Sequence, residues 1–143
     1  MSDEHSDLRR NRASTERLRA LVAGLEAADL ARPLGGGWTV GFALAHLAFW
    51  DQRQRVAIHR HARGGGFPEE DPAVNEALDA VAPLIASGRA GGEAVRAAAL
   101  LDETLAALAS AEWDALVAAG EGYSLERWRH RDEHIAQIEA GLT

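Results

Sequence analysis

Residues 38–66 read WTVGFALAHLAFWDQRQRVAIHRHARGGG. Trp38 offers a buried anchor, Thr39 a capping hydroxyl, and three glycines end the run, so the stretch predicts a helix over residues 40–63. At 100 degrees per residue Phe42, Ala43, Phe49 and Trp50 are the near neighbours of His46. This imidazole therefore sits on an apolar, aromatic face, where its ring nitrogens need partners. Two readings are open: a core histidine satisfied by a hydrogen bond, or a metal ligand.

Working outward from this helix, an earlier one is expected to start between Ser6 and Ser14. It carries Leu18, Leu21, Val22 and Leu25 at helical spacing and ends before Pro33. About residues 1–13, which include His5, are expected to be flexible, and glycines 35–37 to form a loop. On the other side, residues 64–70 read as a flexible loop. Asp71 followed by Pro72 is a helix-start signature for a third segment whose buried face would be Val74, Leu78, Val81 and Ile85, with Pro83 kinking or ending it. Residues 87–92 read as a turn, and a longer helix follows over 93–109 with Val95, Leu101, Leu105 and Leu108 among its apolar positions. Trp113 is expected in a connection, Ser124 as a cap, and a last helix up to Gly141.

Few residues are β-branched, aromatics are 6% of the chain, and no segment alternates apolar and polar for long. The expected fold is all-α: a four-helix bundle with one extra short helix, in a single domain spanning the 143 residues.

Composition narrows the chemistry. Hydrophobic residues are 47% and charged residues 26%, as in folded soluble proteins. The net charge of -7 argues against a nucleic-acid partner held by phosphate neutralisation. No apolar run reaches the roughly 20 residues of a membrane helix, and the start MSDEHSDLRR has no signal-peptide character, so a cytoplasmic protein is expected. Cysteine is absent and all 15 basic residues are arginine. That excludes thiolate metal sites, a protein thiol nucleophile, Schiff-base chemistry and a P-loop lysine. No GxSxG, GxGxxG or HExxH motif is present.

The segment RWRHRDEH, residues 127–134, places His130 and His134 one helical turn apart on one face, where both can reach a single cation. With Arg127, Arg129 and Arg131 interleaved, a solvated charged face is the competing reading. A buried His46 and this pair together have the composition of a three-histidine metal site across a bundle, with an open position for water or substrate.

GWTVGFALAHLAFWDQR, residues 37–53, resembles the Trp-Ser/Thr-Val, Ala-His-Leu-Ala and Trp-Asp signature of the DinB-like superfamily, and HRDEHIAQI, residues 130–138, is similar to its C-terminal helix. VNEAL at residues 74–78 and AEWDAL at residues 111–116 are similar to the subgroup of mycothiol-dependent maleylpyruvate isomerase. That superfamily also includes the bacillithiol S-transferases. The resemblance implies a four-helix bundle with a divalent metal on His46, His130 and His134.

The ligand type suggests Zn or Ni, bound by neutral imidazoles, with affinity falling below about pH 6 as they protonate. Arg53, two turns from His46, is expected to bind a substrate carboxylate, and Trp50 to line the substrate site. Glu133, and less so Asp51, are expected as acceptors behind the ligands. No further catalytic residue stands out. The expected function is metal-dependent S-transfer or isomerisation using a low-molecular-weight thiol, with mycothiol the first to test. The alternative is a non-catalytic metal-binding bundle with a structural or stress-related role. A small-molecule thiol and an electrophile are the expected partners, and a homodimer is plausible for a small bundle.

Overall fold

The computed structural model describes residues 3–85 and 87–143. Its helices are α1 (Glu4–Ala23), α2 (Val40–Ala62), α3 (Ala73–Val81), α4 (Ser87–Ala106), α5 (Ser110–Ala118), α6 (Gly122–Leu125) and α7 (Arg127–Gly141). The four long ones form the bundle: α2 packs most extensively on α4, α1 on α4 and α7, and α7 on α2. The fold is all-α, as the apolar periodicity predicts. One addition is a hairpin, β1 (Pro33–Gly35) with β2 (Trp38–Thr39), turned by Gly35, Gly36 and Gly37. All three have positive φ, which glycine alone adopts without strain, so the expected loop closes as a tight turn.

The α2 boundaries follow the predicted signals. Thr39 Oγ1 accepts from the Phe42 amide at 3.1 Å, and Gly64 stops the chain with φ +82°. The start of α1 departs from expectation. Residues 1 and 2 lie outside the described part, but the helix already runs from Glu4, so most of the start expected to be flexible is helical. The reason is docking onto α7: Asn11 Nδ2 donates to Leu125 O at 2.8 Å, its Oδ1 accepts from the Trp128 amide at 2.9 Å, and Trp128 Nε1 donates to Asp7 Oδ1 at 3.2 Å. Asn11 thus caps α7 from another helix. The expected cap, Ser124, lies buried in α6 and donates instead to Gln54 Oε1 at 3.0 Å.

Three other expectations are corrected. The turn over 87–92 is the first part of α4; a Cβ on Gly91 would come within 2.8 Å of Val22 Cγ1, so this glycine serves close packing of α4 on α1 inside a helix. α3 buries none of its residues and lies as a surface helix, so Val74, Leu78 and Val81 are not core. Trp113 belongs to α5, where it is buried with Leu116.

The core has two apolar clusters. One gathers Leu18, Leu44, Leu47, Ala94, Ile135 and Ile138; the other gathers Ile58, Leu101, Leu105, Trp113, Leu116 and Leu125. Between them along the bundle axis runs a charged layer. Asp51 accepts from Arg127 Nε at 3.0 Å and from Arg131 Nε at 2.8 Å, and Arg131 Nη1 donates to Asp102 Oδ1 at 2.8 Å. Arg131 Nη1 also reaches Thr15 Oγ1 at 3.0 Å, and Nη2 reaches Ala98 O at 3.2 Å. Two guanidinium ions face two carboxylates, and each bond is charge-assisted, the condition under which ions tolerate burial.

Candidate metal centre

α2 and α7 bring the three histidines together. The capped start of α2 carries His46 and the first two turns of α7 carry His130 and His134, all three buried. One ligand nitrogen of each lies within 4.8 Å of the other two. His46 Nε2 and His130 Nε2 are 3.2 Å apart. Two nitrogens bound tetrahedrally to one zinc are separated by about 3.3 Å, given Zn–N bonds of about 2.0–2.1 Å. The donor set, and the spacing of this pair, therefore fit a divalent cation.

Hydrogen bonds fix how each ring is turned. His134 Nδ1 lies 2.8 Å from Gln137 Oε1, an acceptor, so Nδ1 carries the proton and the Nε2 lone pair faces the cluster. His130 Nδ1 lies 3.0 Å from Arg127 Nη2, which can only donate. The neutral His130 ring then holds its proton on Nε2 and donates to His46 Nε2, and His46 carries its own on Nδ1, buried without a partner. Trp38 closes one side, stacked on His134 with centroids 5.5 Å apart and 4.8 Å from the His46 centroid.

Burial pushes His46 down to about 4, with the nearby His134 and Arg127 adding to the effect. Burial also lowers His130, to about 2, followed by the Arg127 guanidinium and the other two imidazoles. Burial thus favours the neutral form of both rings, the form that metal ligation requires.

Two cavities flank the cluster. One, of about 300 Å³, is lined by His46, His130, Trp50, Tyr123, Asn75 and Arg127, with residues 70–72 completing its wall. The other, of about 340 Å³, opens beside His134 between Trp38, Gly35, Glu133 and Gln137. The first gives a molecule from solvent access to two of the three rings.

The remaining expected residues divide. Trp50 lines the first cavity and is fixed there by its Nε1 donating to Asn75 Oδ1 at 3.0 Å. Arg53 does not line it; its guanidinium donates to Pro68 O at 3.2 Å and Glu69 O at 3.1 Å and so holds the loop that walls it. Glu133 is exposed beside His134, whereas Asp51 is buried and reaches His130 through Arg127. The order expected between these two acids is thus reversed by burial. Sequence reading missed Arg127 and Arg131 altogether: among interleaved charges they read as a solvated face, yet both are 0% exposed. It missed Tyr123 too, whose ring packs on the Arg127 guanidinium at 5.2 Å.

Residues 10–137 match the sequence profile of a family described as the DinB superfamily. Comparisons with curated proteins and with solved structures found no match.

Proposed function

The chain belongs to the DinB superfamily, and from that premise we propose that His46, His130 and His134 hold a divalent cation, Zn or Ni, in an enzyme that uses a low-molecular-weight thiol. The reaction class is S-transfer or thiol-dependent isomerisation, in the cytoplasm, with mycothiol as the first thiol to try. The observation that carries this reading is the convergence of three buried imidazole nitrogens within 4.8 Å beside a cavity of about 300 Å³. A cation bound there supplies Lewis acidity and favours the thiolate form of a sulfur ligand.

The chain's own groups prepare that centre. Gln137 holds His134 with its Nε2 lone pair toward the centre, so that ring is preset for ligation, whereas His130 would have to move its proton from Nε2 to Nδ1 and give up the bond from Arg127, which Asp51 holds in place. Trp50 and Tyr123 give the cavity aromatic walls that bind the apolar part of a small substrate and exclude water from it. The cavity is the feature that favours an enzyme over a purely structural metal bundle, since structural sites are closed by protein ligands.

Metal analysis after dialysis against trace Zn or Ni tests the centre. The wild type is expected to retain about one equivalent, and His134→Ala, which removes one of three ligands, to lose most of it. Equal metal in both proteins would reject the site.

A further inference from the structure

We propose that Arg127 binds the carboxylate of a small monoanionic substrate, placing that substrate against the histidine cluster. Arg127 is 0% exposed, yet it lines the cavity it shares with His46 and His130. Two of its three guanidinium nitrogens are engaged: Nε donates to Asp51 and Nη2 to His130. Nη1 is buried and has no hydrogen-bond partner among the described residues. A charged donor left in this state is costly, and a molecule bound in the cavity that Arg127 lines is the partner that would satisfy it.

The chemistry of that partner follows from the surroundings. Nη1 only donates, so the partner accepts, and a guanidinium favours a planar oxyanion. Glu70 and Asp71, both exposed, line the same cavity, and Arg127 is its single cationic side chain. A multiply charged phosphate would meet two carboxylates with one cation to offset them, so a carboxylate is preferred. The same two acids disfavour a second anionic group at the ligand's outer end. The volume of about 300 Å³ and the Trp50 and Tyr123 rings set the size: a compact molecule with a flat or apolar body.

The asymmetry of the charged layer explains why this arginine and not its neighbour is available. Arg131, one turn further along α7, is saturated by Asp51, Asp102, Thr15 and backbone carbonyls. Arg127 shares Asp51 with it and has no second carboxylate. The layer is closed at one end and open at the end that faces the cavity.

That the carboxylate-bearing molecule is a substrate rests on the metal-dependent reading above, whereas its binding to Arg127 is separable and is measured without a metal. The probes are benzoate and its neutral isostere benzamide, titrated by calorimetry and tryptophan fluorescence into chelator-treated chain and into zinc-loaded chain. Benzoate is expected to bind about tenfold or more tightly than benzamide in both, the scale of one hydrogen bond to a buried charge. Arg127→Gln is expected to abolish the preference. Should that variant fail to fold, Tyr123→Glu decides: position 123 is 47% exposed and its ring lies over the guanidinium, so a carboxylate placed there is expected to compete for Arg127 and the preference again to be lost.

Equal binding of the two probes by the wild type, no binding of either, or a preference that survives in Tyr123→Glu would overturn the proposal. Zinc content of the same batches separates the two readings. Zinc retained without a benzoate preference leaves the metal centre and rejects the carboxylate site. A preference without zinc does the opposite.

Discussion

The histidine cluster and the charged layer are neighbours on α2, where His46 and Asp51 lie five residues apart, and interleave on α7, and both are polar groups buried in a bundle core. They differ in how completely they are satisfied. Every side-chain nitrogen and oxygen of Asp51, Arg131 and Asp102 has at least one partner, found among these residues, Arg127, Thr15 and Ala98. Among the histidines, a ring nitrogen of His46 has no partner and two others share one proton across 3.2 Å. A saturated polar layer is a structural device, whereas an unsatisfied one waiting beside a cavity is a site. Arg127 belongs to both, bonded to Asp51 on one hand and to His130 on the other, and it lines the cavity beside the site.

The sharpest way to break this contrast is to remove the carboxylate on which the layer turns. Asp51→Ala leaves two buried guanidinium ions without their shared partner and is expected to cost about 3–5 kcal/mol in urea unfolding. A loss under about 1 kcal/mol, that of an exposed pair, would show that the layer is solvated and the contrast false.

The next effect is a pH dependence of the metal-free chain. The folded state holds His46 neutral down to about 4, while the unfolded chain takes up that proton near 6.5. Between those values the unfolded state binds more protons, so stability falls as pH falls, by at most roughly 3 kcal/mol from this group. His130, lowered in the same direction, continues the loss. Thermal unfolding from pH 7.5 to 4 should therefore show a steeper decline in wild type than in His46→Phe. Parallel curves would mean that the unfolded and folded states hold the His46 proton alike.

The smallest effect calibrates the first. Arg96 and Glu93 form an ion pair at 3.5 Å with side chains 67% and 42% exposed. Arg96→Ala is expected to change stability by less than about 0.5 kcal/mol, because solvent and salt screen such a pair. A loss comparable to that of Asp51→Ala would erase the distinction between buried and surface charge on which the comparison depends.

Much of this architecture is legible in the chain. The cap at Thr39, the aromatic face around His46 and the spacing of His130 and His134 lead to α2, α7 and the cluster, because each is a local pattern of helical period. The burial of Arg127 and Arg131 is not local. Their partners Asp51 and Asp102 lie 76 and 29 residues away respectively, so a window around RWRHRDEH shows only charge. A faint signal exists on the other helices: Asp51 and Gln54 interrupt the stripe running from Leu47 to Ile58, and Asp102 sits between Leu101 and Leu105. Polar residues at core positions of two helices, met by arginines on a third, are the trace such a layer leaves. Gly91 misled in the opposite sense, since a glycine that serves close helix packing looks, in sequence, like a turn.

The position of the charged layer also fixes the vertical register of the bundle. Helices lined only with leucine and alanine can slide past one another by a turn, about 5.4 Å, and meet an equally apolar surface. Here a one-turn slip of α7 along α2 would set Ile135 or Arg127 at the height of Arg131 and drive a guanidinium into a leucine cluster. The bundle therefore has one permitted height for α7. Since His46 lies five residues from Asp51 on one helix, and His130 and His134 lie within three residues of Arg131 on the other, the same ion pairs that lock that height also bring the three imidazoles level.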